Sequence, residues 1–276
     1  MREMVDEEVN EKRAARDLDR ATANIARMND YFLGGKDNFA VDRETADALL
    51  ALAPEIKPMA EEMQDFRRRL VRHLLAAGVR RFLDLGSGLP TRDATHQIAH
   101  SVDPSARVVY VNDDLVVLAH ARALLGGAAG TAVVDGSVVR PRDLLSEPAV
   151  GCLLEGGEPV GVLALGTLQF IPDVDGPLDG VHTLMAAMPS GSHLGLSHVV
   201  FDGRPDLAEP IVQIYQAVLS TEEPGARTTA DVLRYFDGLE PVEPGLVHLP
   251  HWRPDNPLAA RAAEPGFMIG GAARKP

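Results

Sequence analysis

Arg80-Arg81-Phe82-Leu83-Asp84-Leu85-Gly86-Ser87-Gly88-Leu89-Pro90-Thr91 reads as a buried strand running into a glycine turn and then a helix start. Gly86 and Gly88 carry no Cβ, so the backbone can turn sharply there and approach a ligand closely. Pro90 and Thr91 suit the opening of a helix whose free N–H groups face the turn. Such a turn is where a nucleotide sits. Folds that grip a pyrophosphate use G-x-G-x-x-G, and here Thr91 stands in the place of the third glycine. Asp84, two residues before the first glycine, changes the ligand to expect, because a carboxylate repels a pyrophosphate and offsets positive charge.

Outward from this stretch the chain alternates. Met59, Met63, Phe66, Leu70 and Leu74 recur at helical spacing and Gly78 follows as a stop signal, which predicts one amphipathic helix over 58–77. Shorter helices are expected over 21–28 and 43–53, parted by a Gly34-Gly35 loop, and the first twenty residues read as helical or disordered. After the strand at 81–85 come a helix over 92–101, a strand over 107–111, a helix over 115–125 and a strand over 131–134. A short helix near 141–145, a strand over 160–165, a helix over 178–188 and a strand over 192–198 continue the pattern. Short apolar strands joined by helical crossovers imply a mostly parallel sheet covered on both faces. Helices over 207–219 and 229–236 and strands over 239–248 and 267–272 complete the reading, with 241–265 as an ordered, Pro-rich loop.

The form D-x-G-x-G at Asp84 to Gly88 resembles the first motif of class I S-adenosylmethionine-dependent methyltransferases. Arg27-Met28-Asn29-Asp30-Tyr31-Phe32-Leu33-Gly34-Gly35-Lys36-Asp37-Asn38-Phe39-Ala40-Val41-Asp42-Arg43 is similar to the N-terminal signature of an actinobacterial family of such enzymes, formerly classed as a domain of unknown function. Residues 109–125, Phe170-Ile171-Pro172-Asp173, Phe236-Asp237-Gly238-Leu239, His251-Trp252-Arg253-Pro254 and the terminal Arg274-Lys275-Pro276 agree with it. The resemblance implies an α/β, Rossmann-like class I methyltransferase fold: a mostly parallel seven-stranded sheet ending in an antiparallel edge, with residues 80–276 as the main domain and residues 1–79 as an N-terminal helical cap. It implies S-adenosyl-L-methionine as cofactor, held by Asp84, Gly86, Ser87 and Gly88, by Asn112 and Asp113 at the ribose, and by Gly136 and Ser137 near the adenine.

Two positions depart from the family pattern. Asn112 stands where an acid usually accepts from the ribose hydroxyls, and a neutral acceptor in place of a charged one costs roughly 1 to 2 kcal/mol, or about ten-fold in affinity. Asp113 is the candidate to rescue that ribose contact. Ser137 stands where an Asp usually meets the adenine amino group, with the displaced Asp135 as the candidate substitute.

For chemistry, the segment from Tyr31 to Asn38 reads as a lid or equally as a plain turn between helices; as a lid it offers Lys36 and Asn38 as substrate contacts and Tyr31 and Asp37 as reserve catalytic groups. Gln169, after the fourth strand, is a further substrate contact, where the family often has His. His198, ending the fifth strand, reads either as the general base, since imidazole titrates near neutral pH, or as a structural hydrogen-bonding histidine. The activity implied is O- or N-methylation of a small molecule; the alternative is a non-catalytic or regulatory small-molecule-binding protein on a degenerate methyltransferase fold.

Composition narrows the partners. A net charge of -13 disfavours nucleic acid and anionic membranes, and no apolar run approaches the roughly 20 residues that span a bilayer. With no signal-peptide pattern at the N-terminus the expected location is cytoplasmic. Cys152, the single cysteine, reads as a small buried hydrophobe, Trp252 as a packing anchor, and Arg67, Arg68, Arg69 and Arg72 as a solvated helix face. His96 and His100, at i and i+4, have no third ligand nearby and also read as solvated, so no metal site is expected.

Overall fold

The structure is a computed structural model that describes residues 21–89, 93–125, 127–221, 226–262 and 266–276. The expectations for the first twenty residues and for the helix start at Pro90-Thr91 lie outside the described residues. In chain order come helices α1 (Ile25–Phe32), α2 (Ala40–Leu52) and α3 (Ile56–Ala76), strand β1 (Arg81–Leu85), α4 (Thr95–Val102), β2 (Arg107–Asn112), α5 (Leu115–Leu125) and β3 (Thr131–Asp135). Then follow α6 (Pro141–Ser146), α7 (Pro148–Leu154), β4 (Val160–Leu165), α8 (Pro177–Ala187), β5 (His193–Val199), α9 (Pro205–Leu219) and α10 (Thr229–Leu233). The chain closes with β6 (Glu240–Pro241), β7 (Val247–His248), α11 (Pro257–Ala262) and β8 (Met268–Arg274).

Among the described residues the strands form one sheet in the order β3-β2-β1-β4-β5-β8-β6, with β7 also paired to β8. From β3 to β5 neighbours run parallel, and β8 runs antiparallel to β5. This is the Rossmann-like α/β architecture that alternation predicts. The strand expected over 239–248 is interrupted: β6 and β7 each hold two residues on the same edge of β8. A turn closed by Gly245 N–H to the Val242 carbonyl lifts the segment between them off the ladder, and Pro244 has no N–H to give it.

Two apolar layers sandwich the sheet. On one face α3 lays down Met63, Phe66, Leu70 and Leu74, all buried, against Phe82, Leu163 and Met268. Each fully buried side chain of this kind contributes about 1.5 to 3 kcal/mol, so the stripe read from sequence does fasten the helix. Trp252 anchors the same layer: it is fully buried, edge-on to Phe66, and its carbonyl accepts from Arg69 Nε. On the opposite face Val150, Leu153, Val181 and Leu184 cover Leu83, Val109 and Val162. A third cluster unites Met28, Phe32 and Leu49 of the N-terminal helices with Phe201, Ile211 of α9 and Phe267.

Several polar readings change. Arg67 and Arg69 do not lie on a solvated face; Arg67 is buried, and Arg69 pairs with Glu62 while donating to the Trp252 and Leu249 carbonyls. The basic run spans more than one side of α3: Arg69 satisfies carbonyls that a distant segment brings over, whereas Arg67 donates to Gln64 of its own helix at 2.9 Å. His96 and His100 likewise face inward, His96 Nδ1 against the Tyr110 hydroxyl at 2.8 Å and His100 Nε2 against the Ala106 carbonyl at 3.0 Å, while Val102 is exposed. Cys152 is exposed, because α7 turns its Val150 and Leu153 face to the sheet instead. Among the described residues no helix is long and apolar enough to cross a membrane, and no three His, Cys, Asp or Glu side chains are grouped to hold a metal.

Candidate functional site

Strand order reverses between β1 and β4, the place where an open parallel sheet leaves a crevice beyond its carboxyl ends. A cleft of about 670 Å³ lies there, within the roughly 300 to 1,000 Å³ typical of small-molecule sites. The turn after β1 supplies Gly86, Ser87 and Gly88, the end of β2 supplies Asn112 and Asp113, and the turn after β3 supplies Gly136 and Ser137. Gln169 closes the far end, and Met28, Phe32 and Tyr215 belong to the cover contributed by α1 and α9.

Local chemistry explains the shape. Gly86 has φ +64°, and a Cβ there would lie 2.4 Å from Thr167 Cγ2. Thr167 holds that turn by donating to the Leu85 and Gly86 carbonyls at 2.9 and 3.1 Å. Only glycine tolerates both the left-handed backbone and the contact. Asn112 Nδ2 donates to Ser87 Oγ at 3.4 Å, which leaves its carbonyl oxygen as an acceptor at the cleft. Asp114, the next acid along, caps α5 by accepting from the Val116 and Val117 N–H groups. Its second oxygen accepts from Asn24 Nδ2 at 2.5 Å, a direct tie from the N-terminal helices to the sheet.

Asp84 sits one layer beneath the cleft. It is 1% exposed, accepts from Thr95 Oγ1 at 2.6 Å, and shares a void of about 10 Å³ with Arg67, Ser87 and Tyr110. Burial raises its pKa, while the nearby Arg67 guanidinium and the Thr95 bond oppose that rise. Asp84 Oδ1 and Arg67 Nε are both without a protein partner. Arg67 lines this void and the cleft alike, so it connects the two.

The remaining sequence-predicted residues do not reach the cleft wall. His198 is fully buried; its Nδ1 faces the Val199 carbonyl at 2.6 Å and its Nε2 faces Arg227 Nη1 at 3.2 Å. The carbonyl accepts, so Nδ1 carries the proton and Nε2 accepts from Arg227. Burial, with Arg227 adding to it, pulls the imidazole down to about 4. Arg227 in turn donates to the Leu168 and Ile171 carbonyls and pairs with Asp173, clamping the loop that bears Gln169. Tyr31 donates to Asp47 at 3.0 Å on the outside of the cap, and Lys36 and Asp37 are exposed. The loop through them winds around Asp30, whose carboxylate accepts from Asp37 N–H and Asn38 Nδ2, both at 2.8 Å. At Gly35 a Cβ would fall 1.9 Å from Asp30 Oδ1, so Gly35 serves that packing, while Gly34 makes the turn at φ +74°.

Sequence reasoning missed Thr167, Tyr215, Arg67 and the Asn24–Asp114 tie. Asp114 ahead of the 115–125 helix carries a visible N-cap signature. Tyr215 and Arg67 have none, since each is one polar or aromatic position on an amphipathic helix.

A family profile described as S-adenosyl methyltransferase matches residues 11–276. A DUF574-family protein from Streptomyces avermitilis MA-4680, known as a crystal structure, is 34% identical with a TM-score of 0.85 over 92% of this chain and 98% of its own. A proposed methyltransferase from Thermobifida fusca YX is 39% identical with a TM-score of 0.84 over 92% and 96%. The plantazolicin methyltransferase BpumL, solved in complex with a triazolic desmethylPZN analog and SAH, is 9% identical with a TM-score of 0.53 over 97% and 100%, a likeness of fold alone. No curated protein is significantly similar to the chain.

Proposed function

Because the chain belongs to the S-adenosyl methyltransferase family, we propose that its cleft binds S-adenosyl-L-methionine and the demethylated product and that the protein transfers the methyl group to a small molecule. The observation that carries this reading is the convergence of Gly86–Gly88, Asn112–Asp113 and Gly136–Ser137 on one cleft of about 670 Å³. The donor set suits the cofactor: the Asn112 carbonyl oxygen and Asp113 face the ribose position, and Gly136 and Ser137 lie where the adenine would stack. Asp84 works from below, through Thr95, Arg67 and Ser87, rather than as a wall of the cleft.

When bound, the cofactor supplies an activated methyl group on a sulfonium. The chain's own part is then orientation: the β1 turn and the β2 end fix one end, and Gln169 faces the acceptor side. Residues 21–79 serve as the cover, with Lys36, Asp37 and Asn38 shaping its outer loop, and the place of action is cytoplasmic, where this cofactor is made. A second reading, a binding protein without turnover, draws support from His198, which is enclosed and committed to Arg227.

Titration calorimetry with S-adenosylhomocysteine tests the cofactor reading. Saturable heat at micromolar ligand is expected, and no heat at millimolar ligand would refute it. Incubation of cell extract with methyl-labelled cofactor separates enzyme from binder: label on a small molecule supports transfer, and no label at all favours the second reading.

A further inference from the structure

The acceptor end of the cleft has a chemistry of its own. A recess beside it shares the walls formed by Gln169, Phe170, Val199, Ile211 and Tyr215, and is completed chiefly by Phe201 and Val212. Phe170 and Tyr215 meet edge to face at 5.2 Å. None of the described residues lining the recess is charged; Asp175 stands only on the rim of the larger cleft and is exposed. Against these described residues an ammonium or carboxylate would lose its hydration without a charged partner, whereas a flat aromatic ring would gain dispersion and edge-to-face contacts.

Gln169, Tyr215, Gln216 and Thr221 are the neutral polar side chains among the described residues of the wall, and the first two flank the passage to the cleft. Gln169 Oε1 accepts from the Val199 N–H at 2.9 Å, which fixes the orientation of the amide and leaves its NH₂ as a donor. The Tyr215 hydroxyl has no hydrogen-bond partner among the described residues, and burial pushes its pKa well up, so it stays a phenol. Both suit an oxygen that gathers negative charge. Resting on the cofactor reading above, we propose that the recess takes an uncharged aromatic hydroxyl compound and that Gln169 and Tyr215 hold its oxygen for methylation.

No base is then required of the chain. The hydroxyl oxygen forms a bond to the methyl carbon while the carbon–sulfur bond breaks, its electron pair staying on sulfur to leave a neutral thioether. The hydroxyl proton leaves to water on the open side of the cleft, and the Gln169 and Tyr215 donors offset the burial that would otherwise raise the phenol above its free value near 10. A basic aliphatic amine would enter as its cation, which the recess disfavours.

The test uses 2-naphthol, 2-methylnaphthalene and 2-(aminomethyl)naphthalene as probes, titrated calorimetrically into the whole chain with and without saturating S-adenosylhomocysteine. We expect 2-naphthol to bind at least ten-fold tighter than the ammonium probe, and Tyr215→Phe to cut its advantage over 2-methylnaphthalene about two- to ten-fold, the worth of one hydrogen bond, with the circular dichroism spectrum kept. Equal binding of the ammonium probe, no binding of 2-naphthol, or an advantage untouched by Tyr215→Phe would each overturn the proposal. Failure of S-adenosylhomocysteine to bind would instead overturn the cofactor reading, and the acceptor claim would then stand or fall on the probes bound to the ligand-free chain.

Discussion

Asn112 is where the cofactor reading is most exposed to experiment, because one amide stands in for the acid that would grip two ribose hydroxyls. Asn112→Asp should tighten S-adenosylhomocysteine about ten-fold in calorimetry, the difference between a neutral and a charge-assisted acceptor; unchanged or weaker binding would remove the ribose from this position. His198 calls for a different measurement. Its folded-state pKa of about 4 lies below the ordinary 6.5. Between those values the unfolded chain binds a proton that the folded chain refuses, so stability falls as the pH drops from about 6.5 toward 4. The full effect is about 3 kcal/mol, read as a falling urea midpoint. His198→Gln, which does not titrate, should flatten that part of the profile relative to the parent, and a profile of the same slope would show that His198 is not the group responsible.

At the scale of elements, β1 and its turn were legible because strand, glycines and acid occur together within Arg81 to Gly88, a local pattern with a local cause. Helix α3 was legible for the same reason, its stripe of Met63, Phe66, Leu70 and Leu74 being periodic. The loop at Gly34-Gly35 was harder: charged and aromatic residues beside paired glycines suggest a lid, but the structure uses them to wrap the Asp30 carboxylate. No spacing in the sequence announces which buried acid a loop will enclose. Gly35→Ala should therefore cost about 1 to 3 kcal/mol through overpacking and raise amide hydrogen exchange across α1 and α2. Undiminished protection there would refute the packing role. His198 and Arg227 failed to announce themselves for a related reason. They lie 29 residues apart, and their contact exists only once the chain beyond β5 has folded back over the loop after β4.

Over the whole molecule, the N-terminal helices meet the sheet domain through the third apolar cluster and through Asn24 to Asp114. A second polar knot stiffens that cover. Asp42, fully buried, pairs with Arg27 Nε at 2.7 Å and accepts from the Asn24 and Phe39 N–H groups. The cover is thus organised around Asn24, which is also the N-cap of α1. Asn24→Asp keeps the capping oxygen but sets a carboxylate against Asp114, so it should weaken S-adenosylhomocysteine about ten-fold with faster dissociation in stopped-flow while the circular dichroism spectrum is kept. Binding as tight as the parent's would mean that the tie does not govern the cleft.

The most direct measurement for the central claim is a crystal structure of the chain grown with S-adenosylhomocysteine. The ligand is expected in the cleft at the strand ends, with its ribose hydroxyls within hydrogen-bond distance of the Asn112–Asp113 turn, its adenine beside Gly136–Ser137 and its sulfur facing Gln169 and Tyr215. A ligand seated elsewhere, or in the cleft with these ends reversed, would contradict it.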